Sequence, residues 1–137
     1  MQMLFMAHSG LRYLVLLTGI VGLAYFSYVA ITKKSNERAG QILGSAFAGF
    51  LDLQVLLGIL MVILGLFYSA LIGHMFMMIS AAVVAHVAMK FARGAPDPAR
   101  ANSIRLLGVA VPLILIVGGI MAIGRQVFGT GSPTMFP

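Results

Sequence analysis

Four long apolar runs dominate the chain, and polar residues gather between them. The runs cover about residues 8–32, 41–68, 73–91 and 103–124. A helix needs roughly 20 residues to cross about 30 Å of hydrocarbon, and all four runs meet or approach that length. Two of the intervals are polar: "KKSNERAG" (33–40) and "RGAPDPARAN" (93–102). Pro96 and Pro98 in the second are expected to stop helix propagation. The interval between the second and third runs is about "SALIG", which predicts a tight antiparallel hairpin. The runs are continuous, whereas strands of a membrane barrel alternate polar and apolar residues. Helices are the other way to satisfy every backbone polar group inside the chain. The pattern therefore predicts an all-α integral membrane protein. Residues 1–137 form one domain, an up-down-up-down four-helix bundle. Gly19 and Gly22, Gly44 with Ala48, Ala81, Ala82 and Ala85, and Gly118 with Gly119 mark expected close approaches between helices. Pro112 marks an expected kink in the fourth span.

Composition supports this reading. Hydrophobic residues make up 61% of the chain and charged residues 9%, against about 25% charged in a soluble domain. There is no cysteine. Disulfides, iron–sulfur clusters, thiolate metal sites and covalent haem attachment through cysteine are excluded. The net charge of +6 does not indicate nucleic acid, because the basic residues flank the spans. Lys33, Lys34, Arg38, Lys90, Arg93, Arg100 and Arg105 lie at the two polar connections, while only Arg12 and Arg125 lie at the opposite ends. The positive-inside rule then predicts an N-out/C-out topology, with 33–40 and 93–102 cytoplasmic. The tail "GTGSPTMFP" is expected on the outer surface. Residues 1–7 lack a basic n-region, so the start does not read as a signal peptide. No hydrolase, nucleotide-binding or phosphoryl-transfer motif is present.

Ionisable residues inside a span are costly and are functional candidates by default. His8 opens the first span and His74 the third. These spans run in the same direction, so both imidazoles are expected in one outer layer on diagonally opposed helices. Two histidines at equal depth suit bis-histidine ligation of haem iron. Copper or zinc would also accept imidazole but usually needs further ligands. His86 lies 12 residues beyond His74, about 18 Å deeper, so the two do not share a metal. Arg12 follows His8 by four residues on one helix face. It is expected either to pair with a haem propionate or to reach lipid headgroups. Asp52 lies deep in the second span; a hydrogen bond to His86 or Arg12 would relieve its cost, with His86 the nearer in depth. Asp52, Gln54 and His86 are candidates for a proton or quinone contact, or for structural hydrogen bonds between helices. Met75, Met77 and Met78 invite a Cu(I) reading, although methionine also fills apolar cores. Met78 aligns with His74 on the helix and Met75 does not.

The segments "HSGLRYLVLL" (8–17), "DLQVLLGILM" (52–61) and "GHMFMMISAAVVAHV" (73–87) together resemble a family of small bacterial four-helix membrane proteins labelled cytochrome-b-like. The family pattern has a His-Ser-x-Leu-Arg-aromatic start, a Gln-Leu-Leu-Gly motif in span two, and a histidine with trailing methionines opening span three. The resemblance covers about three-quarters of the chain and its motifs are moderately specific. It implies redox function. It also implies His8 and His74 as haem ligands, with Arg12 and Gln54 in recurring polar positions. Asp52 and Leu53 depart from the pattern, which would place a histidine shortly before that motif. The expected function is a b-type cytochrome-like electron-transfer protein or subunit holding one haem b near the outer face of a bacterial inner membrane. An electron carrier or accessory role is favoured over a stand-alone enzyme, and a quinone is a further expected ligand. The alternative is a non-catalytic subunit of a larger respiratory or photosynthetic complex. Copper or proton transport is a weaker third reading. Expected partners are the lipid bilayer and a larger membrane complex, without nucleic acid.

Overall fold

The computed structural model describes residues 1–128. The tail GTGSPTMFP lies outside the described residues. Four helices follow in order: α1 (Gln2–Thr32), α2 (Glu37–Ile63), α3 (Ala70–Arg93) and α4 (Pro98–Ala122). All four are long and apolar enough to cross a membrane, and no strand occurs among the described residues. The architecture is a four-helix bundle. Among the described residues α1 packs on α2 and α4, α3 packs on α2 and α4, and α1 does not touch α3. The first and third helices are therefore the diagonal pair.

The boundaries differ from the sequence reading for local reasons. α1 begins six residues before His8, because the Met-, Leu- and Ala-rich start contains no helix breaker. Its 31 residues extend about 46 Å, so its first turns project beyond a hydrocarbon core. α2 stops at Ile63 rather than near Tyr68. Gly65 takes φ +101°, and the Leu66 N–H donates back to the Met61 carbonyl at 3.0 Å. Glycine enters that left-handed conformation without a Cβ penalty. The α2–α3 link is therefore residues 64–69 rather than "SALIG". Pro98 starts α4 instead of stopping a helix. At the first helical position its missing N–H costs nothing, and the Asp97 side chain caps the end by accepting from the Arg100 N–H at 2.8 Å. The α4 helix runs without a break through the buried Pro112.

Polar side chains tie the helices at the end bearing the 33–36 and 94–97 connections. The Asn36 side chain caps α2 by accepting from the Ala39 N–H at 3.1 Å. The Tyr25 hydroxyl accepts from the Asn36 N–H at 3.1 Å and donates to the Asn36 carbonyl at 3.2 Å. Arg105 is buried and pairs bidentately with Glu37 across α4 and α2, with one bond of 3.1 Å. Gly40 leaves room for its guanidinium: a Cβ there would lie 3.1 Å from Nη1. Asn102, also buried, donates to the Phe26 carbonyl of α1 at 2.9 Å. The core between these ends is apolar, built around Phe26, Phe47, Leu51, Val109 and Ile116.

Candidate functional site

Six polar residues were singled out in the spans, and the bundle sorts them into two separate groups. At the terminal end, His8, Arg12, Gln54 and His74 border a shared cleft. On the outer flank of α2 and α3, Asp52 meets His86. Asp52 and Gln54 stand two residues apart, so a helix turns them about 200° from one another. That rotation sends Gln54 inward to α1 and Asp52 outward, so of the three candidates for a proton or quinone contact Asp52 and His86 meet and Gln54 stands apart.

The terminal-end group joins three helices. The Gln54 side-chain amide donates to the His8 carbonyl at 2.9 Å and lies 3.1 Å from His8 Nε2. One amide hydrogen on each acceptor would make Nε2 of His8 the acceptor and leave the ring proton on Nδ1, which is buried without a partner among the described residues. The opposite amide orientation would set two oxygens against each other. Gly58 permits this fit, since a Cβ there would lie 3.2 Å from His8 Cε1. His74 is anchored differently. Its Nδ1 donates to the Gly119 carbonyl of α4 at 2.9 Å, which leaves the Nε2 lone pair unused by that bond. Arg12 turns into the bundle rather than to headgroups. Its side chain is buried, donates to the Gln126 carbonyl at 3.3 Å and to the Tyr13 hydroxyl at 3.0 Å, and lies over the Tyr13 ring.

The cleft has two lobes that share His8, Gln54, Met61, His74 and Met78 among their walls. One, of about 60 Å³, is walled mainly by α2 and α3 and adds Met75. The other, of about 80 Å³, extends past Arg12 to Tyr68 and Arg125. A helical face broad enough to wall the first lobe takes in Met75 as well as Met78, although 100° separates neighbouring residues. Among the described residues no three His, Cys, Asp or Glu side chains gather into a metal-binding group.

Haem can be tested against this geometry. The chemistry of His74 suits an axial ligand, because a carbonyl on Nδ1 orients metal-bound imidazoles in the same way. His8 does not match it, since its Nε2 is engaged by Gln54. The two lobes, about 60 and 80 Å³, are smaller than the roughly 300 Å³ of a ligand-sized pocket, so a macrocycle between these imidazoles would require the helices to part.

The second group faces outward, away from the bundle. His86 Nε2 lies 2.8 Å from both carboxylate oxygens of Asp52. Their side chains remain 56% and 48% exposed. Around them the outward surface is apolar, with Leu53, Leu56, Val83 and Val87 exposed. One turn from Asp52, Gly49 has no atom within 4 Å of where a Cβ would stand.

Sequence reasoning missed two buried polar residues, Asn102 and Arg105. Their position near a basic connection made them look like interface residues. The one available signal was a 3.6-residue spacing that sets Ala101, Asn102, Arg105 and Val109 on one helix face. No protein-family model, curated protein or solved structure matches the chain.

Proposed function

We propose that the chain is an accessory subunit of a larger membrane assembly, and that it docks through the α2/α3 face carrying Asp52 and His86. The observation that supports this is the half-exposed Asp52–His86 pair within two apolar spans. An aspartate at a helix centre costs about 2.5–3.5 kcal/mol against lipid, and intramembrane ionisable residues almost always face protein or a water-filled cavity. Here the pair faces away from its own bundle. A neighbouring helix that hydrogen-bonds the pair removes that cost, and Gly49 one turn away allows its backbone to approach closely. Leu53, Leu56, Val83 and Val87 supply apolar contact around the polar centre.

In this reading the assembly lies in a bacterial inner membrane, with the connections 33–40 and 93–102 on the cytoplasmic side. Electron transfer is the activity to which the family resemblance assigns such an assembly. Haem-dependent transport by this chain alone is supported by the orientation of His74 and opposed by the volume of the cleft.

A cysteine-free background makes the docking test direct. Gly49→Cys in the native membrane is expected to give a crosslinked adduct containing a second, different polypeptide. Asp52→Leu/His86→Leu, which matches the face to lipid, is expected to release the chain from its assembly while leaving it folded. A wild-type chain that runs as a lone monomer in native lipid nanodiscs and gives no adduct refutes the proposal. A second reading uses the same pair. Its lipid-facing position would let a quinol hydroxyl deliver a proton to it, and photolabelling by a quinone analogue that the double variant abolishes would favour that role.

A further inference from the structure

The smaller lobe of the cleft, too small for a macrocycle, has the dimensions and donors for a single metal ion. We propose that His74, Met75 and Met78 of α3, with Met61 of α2, form a binding site for a soft monovalent cation, Cu(I). The site does not rest on the docking proposal: it lies between the same two helices, but His74 is about 18 Å along α3 from His86.

Three observations carry the assignment. First, all four side chains wall the same lobe. Its volume of about 60 Å³ is enough for a few waters, each needing about 10–15 Å³, and so for one ion. Second, His74 is held as metal-bound histidines are: Nδ1 donates to a backbone carbonyl at 2.9 Å, which fixes the tautomer with the lone pair on Nε2. Third, the ligand set is neutral and soft. The residues walling the lobe include no Asp or Glu, and the chain has no cysteine. Thioether and imidazole donors select Cu(I), whereas Mg²⁺, Ca²⁺ and Mn²⁺ favour carboxylate and carbonyl oxygen.

Met61 and Met78 are themselves buried, so the thioethers are already desolvated. Met77 provides an internal contrast: it is not part of either lobe's wall, whereas Met78, whose methyl packs on Gly119 of α4 as the Met77 sulfur packs on Gly118, walls both.

The test is anaerobic competition between purified protein and bathocuproine disulfonate for Cu(I), with each variant's helicity checked by circular dichroism. Wild type is expected to hold one equivalent. Loss of an outer-sphere partner alone weakens metal sites about 10–100-fold. His74→Ala and Met78→Leu, which remove direct donors, are each expected to weaken Cu(I) at least about tenfold. Met78→Leu nearly conserves volume and keeps the fold readable. Met77→Leu is expected to bind as wild type. X-ray absorption of the copper-loaded protein should show both sulfur and nitrogen neighbours. No Cu(I) retained by folded wild type overturns the proposal. Equal losses in Met77→Leu and Met78→Leu, or a copper shell without sulfur, overturn it as well.

Discussion

Gly108 lets α4 pack directly on Ala88 and Met89 of α3, and replacing it tests how tightly the bundle is packed. A Cβ at position 108 would fall on the Cβ of Ala88, with the Met89 methyl at 3.2 Å and Ala88 Cα at 3.7 Å. Met89 has a flexible end and can move. The Ala88 methyl is fixed to its backbone and cannot rotate away, so Gly108→Ala must separate the helices. A gap of 0.5–1 Å forfeits roughly a quarter to a half of the dispersion energy at each neighbouring contact. Overpacking of this kind costs about 1–3 kcal/mol. The gain in helix propensity from glycine to alanine, about 1 kcal/mol, offsets part of it. Gly108→Ala should therefore be net destabilising. Gly49→Ala, with open space around it, should be neutral or slightly stabilising in the isolated chain. Ala88→Gly should restore much of what Gly108→Ala loses, with a coupling of about 1 kcal/mol or more in the double-mutant cycle. Unfolding by SDS titration in mixed micelles, followed by helicity, measures these differences; the chain has no tryptophan for a fluorescence signal. Additive effects of the two changes, or equal stability of Gly108→Ala and Gly49→Ala, would refute the steric argument.

Three further predictions concern polar groups. Gln54→Leu leaves the His8 carbonyl and Nε2 without their donor, so it should destabilise the protein by about 1–3 kcal/mol in the same titration. Glu37→Ala leaves the buried Arg105 guanidinium without its carboxylate. A loss of about 1–3 kcal/mol is expected, and Glu37→Gln, which keeps one acceptor, should lose less. Finally, the dithionite-reduced spectrum of purified protein should lack a stoichiometric b-type α-band, because the cleft is too small. One haem per chain, lost in His8→Ala and His74→Ala, would show that the helices part to admit it.

How much of this was legible in the chain depends on which force acts on each residue. The hairpin between α2 and α3 could be read from two adjoining apolar runs, but its register could not. Gly65 ends α2 by adopting a left-handed conformation, and sequence alone did not distinguish it from Gly58 or Gly73, which stay helical. Pro98 looked like a helix stop, because proline breaks a helix interior and starts a helix equally well. The contact between His86 and Asp52 was one of two pairings open to Asp52, and the one that depth favoured. The contact between Gln54 and His8 was not foreseen, since neither residue's helix face was known to point at the other.

Sequence by itself determined the number of spans, their alternation and the concentration of charge at one end. Hydrocarbon imposes these on each segment alone: every backbone polar group must be satisfied within its own helix, and charged residues must sit near water. Tertiary structure decided which side of each helix faces its neighbours. In a soluble bundle an apolar stripe would mark that side. Here lipid is as apolar as the core, so all sides read alike and the hydrophobic pattern carries no inward direction. That is why Asp52 and Gln54, two residues apart, could not be told apart as outward and inward. It is also why the cleft beside His74 emerged only from the packed helices.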